Sequence, residues 1–269
     1  MPDLSKRAAV ELNQIVHLYA AGEAEVVRAF FSQPRPIDDC VDVLLRQMGR
    51  ELHTAHWLHR ALRMLEGLDR TVDRHAFAEF LEQIAEEIEH YVILADLAES
   101  VAGRSPTADE LHRYKVYAFW DPEVPDEELF NPLLPEANRM IEVARDVVSE
   151  LGFERGWQVI RLSEGGGGGA FVECTRLTGE PFRDQLAAAM RRIVKDEMKH
   201  GPERVEGFAR TWVRDEADLE AATRWLRAVM AQHLRVRNEI WRYPLSPERL
   251  RAIDAGDAQP FDETVGPYV

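Results

Sequence analysis

Apolar residues recur at three- and four-residue spacing along most of this chain, while the strict alternation that marks a half-buried strand is scarce. Over residues 4 to 31 the pattern is carried by Val10, Ile15, Val16, Tyr19, Val26, Val27 and Phe30, and it ends at Pro34 and Pro36. It predicts a helix or two packed as an accessory on the main body. A long helical stretch from 37 to 68 opens with Asp38 and Asp39 and fades at Gly67-Leu68-Asp69. Another from 72 to 102 stops at Gly103-Arg104-Ser105-Pro106, so the two form a helical hairpin.

Residues 104 to 134 break the rhythm with Pro106, Pro122, Pro125 and Pro132 and the aromatic residues Tyr114, Tyr117, Phe119 and Trp120. This reads as a long crossover, the connection that joins parallel helices in a four-helix bundle. Helical pattern resumes at Pro135 and runs past Gly152 to about 177, where Thr178-Gly179-Glu180-Pro181 supplies a turn. A further bundle helix is expected over 181 to 213, an accessory helix over 217 to 241, and a tail beyond, rich in proline and glycine. The expectation is therefore all-α and a single domain. Helix-turn-helix, crossover, helix-turn-helix spans about residues 38 to 213.

Composition sharpens this picture by exclusion. The 269-residue chain carries a formal net charge of −15, which disfavours a nucleic-acid partner, because phosphate binding is driven by lysine and arginine. Two cysteines, Cys40 and Cys174, make neither a disulfide framework nor a zinc ribbon. With no leader pattern and no apolar run near 18 residues, a cytoplasmic protein without membrane association is expected.

Candidate chemistry sits in two acid-acid-x-x-His segments, Glu86-Glu87-Ile88-Glu89-His90 and Asp196-Glu197-Met198-Lys199-His200. Helical positions i and i+3 share a face, so Glu87 with His90, and Glu197 with His200, can each aim a carboxylate and an imidazole at one metal. In a hairpin, residues at one height lie equally far from the turn. Mirroring Glu87 about residue 69 lands on Glu51, and mirroring Glu197 about the turn at 178 to 181 lands on Glu164. Glu173, the nearest rival, sits too close to that turn. Leu44, Met48, Ala55, Leu58 and Leu62 are expected on the Glu51 face, with Ile84, Tyr91 and Leu94 on the Glu87 face. An acid in an apolar stripe is costly unless it is paired or binds a metal.

With these six residues the chain resembles the ferritin-like di-iron carboxylate superfamily, whose signature is Glu, Glu-x-x-His, Glu, Glu-x-x-His on four bundle helices. The resemblance implies two irons, or manganese or a mixed pair, with Glu87 and Glu197 bridging, Glu51 and Glu164 terminal, and one histidine on each metal. The carboxylate-rich donor set suits iron or manganese better than zinc. By the same resemblance Glu86 and Asp196 accept the remaining imidazole N–H of the ligating histidines. The alternative for both is a solvated surface acid.

The function implied is a di-iron oxygenase or oxidase that activates O2 to oxidise a C–H or N–H bond of a small molecule, fed by an electron donor such as a reductase or ferredoxin, and expected as a homodimer. Two alternatives stand beside it, a ferroxidase, peroxide-scavenging or iron-storage protein, and a metal-free helical scaffold. Directly after Glu164 come five glycines at 165 to 169, which inside a helix forfeit roughly 4 to 5 kcal/mol against alanine. Gly167 and Gly168, with Tyr91 and Ala55, are expected to line an O2 or substrate cavity, and the run to permit a π-bulge; a flexible loop is the alternative. His53, His56 and His59 crowd the Glu51 helix, and His59 is the nearest of them to an additional ligand.

Overall fold

The computed structural model describes residues 4–52, 54–116, 125–166, 168–197 and 201–262, with side chains at all of these except 54–56, 59, 126, 164–166 and 201–203. It is all-α among the described residues. In chain order the helices are α1 (Leu4–Phe30), α2 (Ile37–Glu51), α3 (Thr54–Glu66), α4 (Arg74–Ala102), α5 (Ala108–Arg113), α6 (Asp126–Leu129), α7 (Pro135–Leu151), α8 (Phe153–Gly166), α9 (Gly168–Cys174), α10 (Pro181–Glu197), α11 (Gly201–Trp212), α12 (Glu216–Ile240) and α13 (Pro247–Asp254). They fall into two units, one holding α2 to α6 and the other α1 with α7 to α13.

In the smaller unit, α2 and α3 both pack on α4, giving the expected hairpin. Its turn closes with Asp69 in the left-handed region, φ 58°, and the Asp69 carboxylate 2.7 Å from Arg74 Nε. Asp73 then caps α4, its Oδ1 accepting the N–H groups of His75 and Ala76 at 2.8 and 3.0 Å, which satisfies two otherwise orphaned donors. The stretch expected as one helix over 37 to 68 is two, because α2 ends at Glu51 and α3 starts at Thr54. That interruption resets the helical phase. Leu58 and Leu62, expected on the Glu51 face, lie 48 and 62 % exposed, whereas Leu44 and Met48, ahead of the break, are fully buried.

In the larger unit α1 is no accessory. It packs on α8, α9, α11, α12 and α13, and buries Leu12, Ile15, Tyr19, Val26, Val27 and Phe30. Helix α12 likewise lies against α1 and α8 and buries Leu226, Val229, Met230 and Leu234. α9 pairs with α10 and α8 with α11, as an antiparallel hairpin about the turn at 175–180 requires. The expected single helix over 135 to 177 divides at Gly152, whose φ of 79° is a left-handed conformation that ends α7 and that a side chain would strain. The presumed tail holds α13, opened by Ser246, whose hydroxyl accepts the Arg249 N–H at 3.2 Å. Arg249 Nη2 in turn donates to Glu25 of α1 at 2.9 Å.

Buried charge in this unit also finds backbone partners. Glu239 has no solvent exposure, and its two oxygens accept the N–H groups of Glu136 and Ala137 at 2.9 and 3.0 Å, capping α7 from outside its own sequence. Burial nonetheless pushes its carboxyl above the ordinary range, because desolvation of the charged form outweighs those bonds. No helix among the described residues is long and apolar enough to cross a membrane.

Candidate metal centre

The first motif assembles within the smaller unit. Glu51 is the last residue of α2, on the face that carries Leu44, Gln47 and Met48, all buried. Glu87 and His90 lie one turn apart on α4, flanked by buried Ile84 and Leu94. The mirror count across the turn holds. One carboxylate oxygen from Glu51, one from Glu87 and one ring nitrogen of His90 all lie within 4.8 Å of one another, and this is the one such His, Cys, Asp and Glu group that the described residues form. Glu51 is 6 % exposed and His90 2 %, while Glu87 is half-buried.

The donor set fits a cation. Two carboxylates held this close in a poorly solvated place repel each other unless a proton or a metal sits between them. His90 Nδ1 stands 3.8 Å from Glu87 Oε2, too long for a hydrogen bond. Two hard oxygens and one imidazole match iron or manganese, and three protein donors leave coordination positions open.

Gln47 is a site residue that sequence reasoning missed. It is buried, and its side-chain N–H donates to Glu51 Oε1. The signal was available: Gln47 precedes Glu51 by four residues and so shares its face. Tyr91, expected beside the ligands, is half-buried, and desolvation raises its hydroxyl above the ordinary value. Glu86, expected to support His90, is half-buried on α4. Ala55 lies in α3 with its side chain outside the described residues, as do the His56 and His59 side chains and all of His53.

Of the second motif less is on view. Glu164 lies in α8, two residues before its end at Gly166, and its side chain is outside the described residues, as is His200. Glu197 closes α10, half-buried, with Asp196 half-buried beside it. The rival Glu173 has another occupation: its carboxylate is 3.1 Å from Arg28 and 3.4 Å from Arg176. The glycine run is helical at 165, 166, 168 and 169, with Gly167 outside the described residues. A Cβ on Gly168 would meet nothing within 4 Å, whereas one on Gly169 would strike the α1 backbone at Ala20.

Both cysteine thiols are buried, and desolvation raises that of Cys174 far above its ordinary value, as expected of an inert core sulfur. Comparison with family models, with curated proteins and with solved structures finds no match to this chain.

Proposed function

We propose that the protein is a non-haem di-iron oxidoreductase that activates dioxygen to oxidise a small organic molecule. The observation that supports this reading is the convergence of Glu51, Glu87 and His90 on one point, from two helices and at the height the hairpin count requires. Glu164, Glu197 and His200 repeat the same residue types in the same order, and in this reading they supply the ligands of the second metal.

An iron pair bound by such residues supplies redox chemistry with dioxygen that no side chain can perform. The protein's own residues do the rest. His90, almost wholly buried, presents an imidazole nitrogen from a fixed place on α4 and would hold one metal there. Glu51 approaches from α2 with one oxygen held by Gln47, which helps fix the orientation of the carboxylate. Leu44, Met48, Ile84 and Leu94 exclude water from around these donors, which strengthens every electrostatic contact among them. An external electron donor completes the cycle.

Metal analysis after anaerobic iron loading, repeated on single variants, tests the assignment. Glu87→Ala, His90→Ala and Glu164→Ala are expected to lower bound metal, whereas Glu173→Ala retains it, because Glu173 serves Arg28 and Arg176. Substoichiometric metal in the loaded wild type would leave a metal-free scaffold. Full metal with oxidation confined to ferrous ion or peroxide would move the protein to iron storage or peroxide removal.

A further inference from the structure

The last turn of a helix is a poor place for a metal ligand, because its carbonyls lack partners within the helix and the turn frays unless something outside holds it. Glu51 occupies such a place as the final residue of α2. Gln47 steadies its carboxylate but does not hold the backbone. The backbone is held from the other side of the helix. Asp42, Arg46 and Gly49 lie at i, i+4 and i+7 on α2, and Gly49 stands two residues before Glu51, about 200° around the axis. This face receives residues 114–116, the segment that leaves α5.

Three contacts seat that segment. Val116 N–H donates to the Gly49 carbonyl at 3.3 Å, which gives one of the orphaned acceptors of the last turn its partner. The Tyr114 hydroxyl donates to Asp42 Oδ1 at 2.5 Å. Arg46, its Nε 2.8 Å from Asp42 Oδ2, lays its guanidinium 4.6 Å from the centre of the Tyr114 ring. The approach is possible because residue 49 has no side chain, since a Cβ there would drive into the Tyr114 carbonyl. Asn131 braces the segment from behind, its amide donating to the Arg113 and Lys115 carbonyls at 3.0 and 2.9 Å. Tyr114 and Val116 are each 4 % exposed, so the segment is packed into the unit and not laid over its surface.

We infer that residues 114–116 are a latch that positions Glu51, so that seating of this segment on Gly49 and binding of metal beside Glu51 stabilise each other. The coupling rests on the reading of Glu51 as a metal ligand. With the latch lifted, the Gly49 carbonyl loses its donor and the final turn of α2 opens as helix ends do. The Glu51 carboxylate then leaves the group it forms with Glu87 and His90, and the centre falls from three donors to two. A cation therefore binds the seated form more tightly than the lifted one. By linkage, metal favours seating by the same factor by which seating favours metal. Gly49, Tyr114 and Asn131 are positioning residues in this arrangement, acting on the metal only through Glu51.

Hydrogen exchange of the full chain with and without manganous ion, joined to calorimetric titration of the same ion, reads the coupling in both directions. Saturating manganese is expected to slow exchange at the Val116 amide by roughly 10-fold or more. Glu51→Ala, which keeps the latch and removes the ligand, abolishes that protection. A contact that serves only the fold does not answer to metal in this way. Gly49→Ala is expected to weaken manganese binding by roughly 10- to 100-fold, and Asn131→Ala, which removes the brace, by roughly 5-fold. Should Gly49→Ala lose its helical circular dichroism, Asn131→Ala takes its place. Exchange at Val116 that ignores manganese, or a folded latch variant that binds it as tightly as wild type, overturns the latch and leaves the metal centre standing. A wild type that binds neither manganous nor ferrous ion overturns the metal centre itself, and the coupling with it.

Discussion

Gly169 brings α9 so close to α1 that a Cβ built on it would stand 2.0 Å from the carbonyl oxygen of Ala20. The obstacle is backbone, which cannot turn aside as a side-chain tip would. Gly169→Ala must therefore push the two helices apart along one of the closest contacts of the larger unit. We expect a loss of about 3 kcal/mol, at the upper end of overpacking costs, read as a fall in the denaturant midpoint. Gly168→Ala is the control, because its Cβ meets nothing within 4 Å, and it should be close to neutral. Equal effects from the two would show that the glycines answer to something other than helix contact.

A second buried relationship lies nearby in the same unit. Glu23 of α1 has no solvent exposure, and one carboxylate oxygen is 2.6 Å from His233 Nδ1 of α12. Arg237, one turn further along α12, brings its Nε to 3.6 Å from the other oxygen and lays its guanidinium 4.5 Å from the centre of the Phe171 ring. Removing the charge of Glu23 takes a buried anion away from beside the buried arginine. Glu23→Gln should cost about 3 kcal/mol of stability. A double-mutant cycle with His233→Phe separates the histidine bond from the arginine term, and additive losses would mean that the two residues do not act together.

These two contacts also show where the sequence was legible and where it was not. The hairpin of α2, α3 and α4 could be read because its partners are neighbours along the chain, so a count from the turn brings Glu51 level with Glu87 and His90. Within one helix, spacing alone fixed the shared face of Glu87 and His90. The break after Glu51 carries no proline or glycine, and so Leu58 and Leu62 were assigned to the wrong face. The central place of α1 was hidden for a different reason. An amphipathic pattern says that a face is buried, not against what, and the partners of Glu23 and Glu25, His233 and Arg249, lie more than 200 residues away along the chain. Gly169 carried a signal that was visible but ambiguous. Five consecutive glycines announced a constraint, and only the packing of α9 on α1 shows that one of them is spent on backbone proximity.

The start of α5 should resist acid until the ordinary carboxyls have titrated. Thr107 and Glu110 form a capping box, in which Glu110 N–H donates to the threonine hydroxyl at 3.2 Å and Thr107 N–H donates to the glutamate at 2.8 Å. Arg104 adds a hydrogen bond to each oxygen of Glu110, at 2.6 and 2.8 Å. The Arg104 bonds, and then the Thr107 N–H, lower the Glu110 carboxyl from 4.5 to about 2. A depressed carboxyl contributes stability that is fully present above pH 4.5 and is lost as pH falls through about 2. NMR titration should find the Glu110 carboxyl shift moving well below the other exposed glutamates, with the Thr107 and Glu110 amide signals following it. Arg104→Ala should return that midpoint toward 4.5, and an unchanged midpoint would remove Arg104 as the main cause.

Gln47 offers a finer test of the metal centre than deletion of a ligand, because it never touches the metal in the proposed arrangement. Its side-chain N–H holds Glu51 Oε1, and a carboxylate oxygen of Glu51 lies within 4.8 Å of the Glu87 and His90 donors. Without that bond the Glu51 carboxylate gains rotational freedom and a buried oxygen loses a donor, so binding a cation must supply the ordering that Gln47 had provided. Gln47→Leu keeps an apolar volume of similar size and should leave the helices in place. We expect it to weaken ferrous or manganous ion binding by roughly 10- to 100-fold, the scale on which partners of metal ligands act. Anaerobic calorimetric titration measures this directly, and Gln47→Glu distinguishes position from charge. A glutamate there adds a third acid beside Glu51 and removes the donor, so it should raise cation affinity above that of the leucine variant while failing to restore the wild-type stoichiometry. If Gln47→Leu binds metal as tightly as wild type, Glu51 is either held by other contacts or is not a ligand, and the Glu51→Ala titration decides between the two.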